Sequence, residues 1–153
     1  MATPSTRVRE LTVRYRDVLT VAGDSIEAPP RLDSPDACAA LLATLLGHEA
    51  CEVFGLLCVS STRQLIAYHE VSRGSLDATL VHPREVFKAA LLANASAILL
   101  AHNHPSGDPT PSPDDDIITR RLVLGGALLG IDVLDHIVVG DGCFVSYKAT
   151  GRM

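Results

Sequence analysis

Apolar runs of strand length alternate along this chain with longer segments that carry helix punctuation. "CEVFGLLCV" (51–59) is an apolar run bounded by polar residues, the pattern of a buried strand, and is expected to begin near Glu52. "SSTRQ" turns the chain, and "LIAYHEVSRG" returns as another strand. "SAILLA" (96–101) reads as a central strand, and "IDVLDHIVVGDGCFVSY" as a hairpin turned at Gly140–Gly142. Near the start, "ELTVRYRDVL" alternates in part, Val13 and Tyr15 against Arg14 and Arg16, as a half-buried strand does. "SLDATLV" reads as an edge or loop segment.

Three segments open and close as helices do. In "SPDACAALLATLLG", Ser34 is placed to cap, Pro35 takes the first helical position, Asp36 falls in the first turn and Gly47 stops the element. "HPREVFKAALLANA" opens on Pro83 and puts Val86, Phe87, Ala90 and Leu91 on one face. "SPDDDIITRRLVLGGALLG" gathers Ile118, Leu122 and Leu129 into one stripe. The order is β-α-β-β-α-β-α-β-β. Strands alternating with helices predict an α/β layered sheet covered by helices, and the internal hairpins make it mixed rather than parallel. No repeat or linker divides the chain. The reading is one domain over 1–153, with an N-terminal strand and loop (1–30) and a core (31–150).

Composition narrows the class of function. The 153 residues are 47% hydrophobic, enough for one substantial core, and the net charge of −5 argues against strong sequence-independent nucleic-acid binding. Arg7, Arg9, Arg14 and Arg16, and again Arg120 and Arg121, read as solvated faces. The start lacks the apolar stretch of a signal peptide, and no run reaches the roughly 18 apolar residues of a membrane span. Cys38, Cys51, Cys58 and Cys143 show no C-x-x-C spacing and read as reduced, buried thiols of a cytoplasmic protein.

The chemistry concentrates in "LLAHNHPSGDPTPSPDDD" (99–116). Side chains two apart on a strand share a face, so His102 and His104 project together while Asn103 points the other way. Paired imidazoles suit zinc, copper, iron or nickel, and zinc is the commonest hydrolytic choice. Ser112 and Asp115 fit a capping box, with Pro113 in the first helical position. A carboxylate in that turn can also meet a metal, and on local grounds Asp114 and Asp116 are alternatives to Asp115. Glu52 reads as a surface carboxylate at a strand start, equivalent on this footing to Glu49 or Glu85. His136 is either a partner that orients a ligand or a satisfied core histidine. His48, His69 and His82 read as surface or capping residues.

His102-Asn-His104, seven residues, then Ser112-Pro-Asp-Asp115 resembles the H-x-H-x(7)-S-x(2)-D signature of the JAMM (MPN+/JAB) metalloproteases. Glu52-Val-Phe-Gly55-Leu resembles that family's E-x-x-G-x-L strand. "GSL", "VHPREVFKAALLANASAILLAHNHPSGDPTPSPDD" and "LLGIDVLDHIVVGDG" are similar to the RadC branch, and the resemblance covers about residues 30–150. It implies a cytidine-deaminase-like three-layer sandwich and one zinc ion held by His102, His104 and Asp115, with a fourth position for water. It further implies Glu52 as general base and Ser112 as the residue that steadies the oxyanion. The implied activity is zinc-dependent hydrolysis of peptide or isopeptide bonds, on a peptide or protein substrate of which ubiquitin-like proteins are one class.

The competing expectation is a DNA-associated repair factor or metal-dependent nuclease, since RadC proteins carry a DNA-repair label. The H-N-H tripeptide matches a nuclease motif only superficially, because both histidines sit at a strand end without a histidine-bearing helix. Deaminase chemistry would need H-x-E and P-C-x-x-C pieces, which the chain lacks. A metal-free scaffold would be expected to have lost a ligand, and no signature position is missing. Nothing in the residues fixes an oligomeric state.

Overall fold

Two fully buried apolar runs form the middle of the sheet. The computed structural model describes residues 14–16, 29–74 and 81–153. Its elements run α1 (Pro35–Leu46), β1 (Val53–Val59), β2 (Leu65–Arg73), α2 (Pro83–Leu92), β3 (Ala97–Asn103), α3 (Pro113–Leu129), β4 (Asp132–Val139) and β5 (Phe144–Ser146). Every residue of β1 and β3 is buried, as continuous apolar runs require when both faces of a strand are covered. The expected strand over 10–19 and the segment 75–80 lie outside the described residues, apart from 14–16, which are not in a strand.

The five strands are ordered β2-β1-β3-β4-β5. β3 and β4 pair in parallel, and the other neighbours are antiparallel. The parallel pair is the one whose connection contains a helix, α3, and the hairpins supply the antiparallel edges. The fold is therefore an α+β arrangement with a mixed sheet, as expected.

The alternation of side chains divides the core in two. Leu57, Val59, Leu99, Ala101, Ile137 and Val139 face α1 and pack with its Cys38, Leu42 and Leu46. Leu56, Cys58, Ile98 and Leu100 face α2 and α3 and pack with Val86, Phe87, Ile118 and Leu122. One helix on one face and two on the other give three layers.

Two apolar positions fall outside the faces expected of them. Leu91 and Leu129 are exposed, at 58% and 49%. On α3 the buried stripe continues from Leu122 through Gly126, where a Cβ would stand 2.3 Å from the Ile131 carbonyl oxygen. The helix approaches the next strand too closely there for any side chain, and its last turn then leaves the sheet. The thiols also divide: Cys38 and Cys58 are buried, Cys51 is half-buried and Cys143 is exposed, all four free. Among the described residues no helix is long and apolar enough to cross a membrane.

Candidate metal centre

The site forms where β3 ends. The strand runs two residues beyond the expected boundary, so His102 lies inside it and is fully buried, while His104 follows immediately after. His102 shares its face with Ile98 and Leu100 and so points toward α3. Asp115 arrives from that helix. Ser112 caps α3, its hydroxyl accepting from the Asp115 amide, while the Asp115 carboxylate Oδ2 accepts from the Ser112 amide and hydroxyl, both at 2.7 Å. The capping box therefore engages Oδ2 with the helix and leaves Oδ1 to face His102. Of the neighbouring acids, Asp114 is exposed and Asp116 pairs with Arg152.

His102 Nε2 stands 3.0 Å from His104 Nε2 and 3.3 Å from Asp115 Oδ1, and His104 Nε2 stands 3.6 Å from Asp115 Oδ2. Tetrahedral ligation with bonds of about 2.0–2.2 Å spaces the ligand atoms by about 3.3–3.6 Å, which this triad approaches without rearrangement. Among the described residues it is the one group of three or more His, Cys, Asp or Glu side chains that could hold a metal ion.

Hydrogen-bond chemistry determines what the three groups present to one another. Thr119 donates its only hydroxyl proton to the Asp115 carbonyl at 2.6 Å, so it must accept from His136 Nδ1, also at 2.6 Å. His136 then carries its proton on Nδ1 and accepts at Nε2 from His102 Nδ1, at 2.8 Å. His104 Nδ1 likewise donates to the Asp108 carbonyl at 2.7 Å. Both imidazoles, when neutral, therefore turn Nε2 lone pairs toward each other and toward a carboxylate. Such a convergence of acceptors repels itself unless a cation sits among them.

His136 is held as a neutral relay. Burial lowers its pKa well below the usual histidine value. Its ring stacks on Tyr147 with centroids 4.8 Å apart and meets the edge of Phe54 at 5.5 Å. Burial would raise the Asp115 carboxyl, but a positive charge on His102 at 3.3 Å, with the two hydrogen bonds from Ser112, outweighs it and holds the group well below the ordinary carboxylate range, the same pull that a cation among the three groups would exert.

A β-bulge aims His136 at this site. Val133 faces α2 and α3, and strict alternation would send His136 toward α1, but the register shifts between the Ile98–Val133 and Leu99–Asp135 pairs. The extra residue, Leu134, reverses the parity and turns His136 toward His102. The sequence carries no mark of this shift.

Glu52 is half-buried and immediately precedes β1, in which Phe54 stands opposite His102. Continuing that register sets Glu52 level with His104, on the face that Phe54 shares with His102. The alternatives are otherwise engaged, Glu49 by Arg73 and Glu85 by Lys88. His48, His69 and His82 are exposed, and His82 caps α2 by accepting the Arg84 amide. The loop after His104 is clamped to the β4–β5 turn through the His104 amide on Val139 and the Asp141 amide on Gly107, both at 2.9 Å. At Gly140 a Cβ would lie 2.3 Å from the Gly107 carbonyl oxygen, so only glycine admits this approach. Beside His104 a cavity of about 220 Å³ opens between Glu49, Asn103, Ser106 and Asp141.

The molecule is a three-layer α+β domain whose central strand ends in two histidines facing a helix-borne carboxylate, a group that could hold a metal ion. The chain belongs to the RadC-like JAB domain family, which it matches over residues 32–152. It is 47% identical over 127 residues to a UPF0758 protein of Methanosarcina acetivorans, covering 82% of this chain and 56% of that one. It is 50% identical over 122 residues to a UPF0758 protein of Symbiobacterium thermophilum, covering 80% and 52%. With a UPF0758 protein of Desulfitobacterium hafniense the match is 40% over 159 residues, covering 94% and 70%. The chain thus spans about half the length of the first curated relatives it matches.

Proposed function

We propose that this domain is a zinc-dependent hydrolase of peptide or isopeptide bonds. The observation that carries the reading is the pair of Nε2 lone pairs converging, with the Asp115 carboxylate, on one point beside the start of β1. Two imidazole nitrogens and a carboxylate oxygen are the donor set of a catalytic zinc site with one position left open. Zinc held by His102, His104 and Asp115 would supply Lewis acidity, lowering the pKa of a water to about 7 and polarising a carbonyl.

In this reading Glu52 holds the attacking water, takes its proton and later returns one to the leaving amine. Amides leave poorly without that proton. Ser112 steadies the oxyanion that develops at the attacked carbonyl. The substrate is a peptide or protein. Four free thiols fit a reducing, cytoplasmic setting.

The test is a side-by-side screen of a peptide and isopeptide library and of single- and double-stranded DNA, with parent and Glu52→Gln protein. The nearly isosteric change is expected to keep zinc and melting temperature while slowing amide hydrolysis by about 10²–10⁴-fold. Metal-dependent DNA cleavage by both proteins, with no amide cleavage by either, would sink the reading.

A further inference from the structure

We infer that Asn103, the residue between the two histidines, is a positioning residue that fixes the direction of the Glu52 side chain. The inference rests on the hydrolase reading above for Glu52's role, but the tether itself is visible in the fold.

Asn103 ends β3 and is buried, pointing to the face opposite His102. Among the described residues its amide bonds only main-chain groups. Oδ1 accepts from the Val53 amide at 2.8 Å, and Nδ2 donates to the Cys51 carbonyl at 3.1 Å and the Glu49 carbonyl at 3.4 Å. A main-chain ladder would have joined β1 and β3 at this level; a side chain replaces it and reaches four residues further back.

The consequence falls on Glu52. Its Cα lies between two peptide planes. The first, Cys51–Glu52, is held through its carbonyl by Asn103. The second, Glu52–Val53, is held through its amide by Asn103 and through its carbonyl by the Gly74 amide at 2.8 Å. With both planes fixed, φ and ψ of Glu52 are fixed, and with them the direction of its Cα–Cβ bond. On the outer side Arg73 binds the Glu49 carboxylate through both terminal nitrogens, so the approach to Glu52 is anchored at two depths. Asparagine suits the position because it offers one acceptor and two donors in a plane. Aspartate would keep the acceptor and set a carboxylate against two carbonyls. The strand that carries the ligands thereby also sets the position of the base, with one residue facing each way.

The experiment compares Asn103→Ala and Asn103→Asp, each alone and combined with Glu52→Gln. It reads zinc per chain, kcat and KM on the best amide substrate of the screen, and hydrogen–deuterium exchange across 49–53. Asn103→Ala is expected to keep zinc and KM, to lower kcat by about 10- to 100-fold, and to add nothing in the Glu52→Gln background. Exchange at the Val53 amide should rise. Asn103→Asp, nearly isosteric, keeps the acceptor but loses both donors and sets a carboxylate against the Cys51 and Glu49 carbonyls, so it should also lower kcat while keeping the Val53 amide protected; parental kcat in it overturns the inference if the alanine variant does not fold. Parental kcat, a loss that adds to that of Glu52→Gln, zinc lost in proportion to activity, or unchanged exchange at Val53 would each overturn the inference. A parent that hydrolyses no amide defeats the hydrolase reading, and Val53 exchange in the zinc-loaded variants then decides the tether alone.

Discussion

Asp115 on α3 and Asp135 on β4 are both buried carboxylates, and their surroundings differ in kind. Among the described residues Asp135 is met by donors: the Ser146 hydroxyl at 2.5 Å, the His136 amide at 2.7 Å and the Lys148 amide at 2.9 Å. Its charge is answered within the chain, and it ties β4 to the segment after β5. Asp115 has donors on one oxygen, and on the other side meets an imidazole nitrogen whose proton lies on the far side of the ring. A buried acid surrounded by donors belongs to the structure. A buried acid facing other acceptors leaves a charge to be met from outside, which is the physical meaning of a metal site.

The sharpest way to break this contrast is to remove each carboxylate in turn. Asp115→Ala and His102→Ala are expected to lose the metal, from about one ion per chain in the parent to none, measured on protein purified without added metal. Asp135→Ala is expected to keep the metal in its folded fraction. It should instead lose stability on the order of 3 kcal/mol or more in denaturant unfolding, because three donors are orphaned at about 1–3 kcal/mol each. Equal metal content in Asp115→Ala and the parent would remove the ligand assignment, and metal loss in Asp135→Ala would erase the distinction between the two acids.

A smaller effect separates the triad from what orients it. His136 accepts a hydrogen bond from His102 Nδ1 and donates one to Thr119, so it sets the tautomer of a candidate ligand without touching the point where the three groups converge. His136→Phe roughly keeps the ring between Phe54 and Tyr147 and removes both hydrogen bonds. Metal affinity in competition with a chelating dye should weaken by about 10- to 100-fold. Ser146→Ala, which removes a donor to Asp135 and an acceptor for the Ala149 amide but touches neither the His102 nor the His136 side chain, should leave that affinity at the parent value. An unchanged affinity in His136→Phe would mean that the relay is ordinary core packing.

The parts of this site that could be read from the sequence are those set by neighbours in the chain. Ser34 and Ser112 cap as their spacing predicts, and the His-x-His pair follows from strand periodicity. Asp115 was distinguishable from Asp114 and Asp116 only by likeness to a family, because all three lie in the same first turn; the packing of α3 buries one and exposes its neighbour. What could not be read depends on partners far away. His136 faces the site because a bulge at Leu134 changes the parity of β4, and Asn103 matters because segment 49–53 comes to lie against it. Leu91 and Leu129 satisfy helical periodicity yet stay exposed, since periodicity gives the direction of a side chain and not what lies opposite it.

The smallest predicted effect concerns Ser112, where capping and chemistry share one hydroxyl. Its oxygen accepts the Asp115 amide and its proton goes to Asp115 Oδ2 at 2.7 Å, while the Ser112 amide holds the same oxygen independently. Removing the hydroxyl therefore leaves the carboxylate with one of its two local donors, and the metal should remain. Alanine at an N-cap costs about 1 kcal/mol, whereas glycine costs only a few tenths, because it relaxes the backbone there at little strain. Ser112→Ala and Ser112→Gly lack the hydroxyl equally but differ in helix stability. If the hydroxyl steadies the oxyanion, both variants should lose hydrolysis to the same extent while their denaturation midpoints separate. If the loss of hydrolysis instead follows the loss of stability, glycine should restore most of the activity that alanine removes, and Ser112 would be a cap and nothing more.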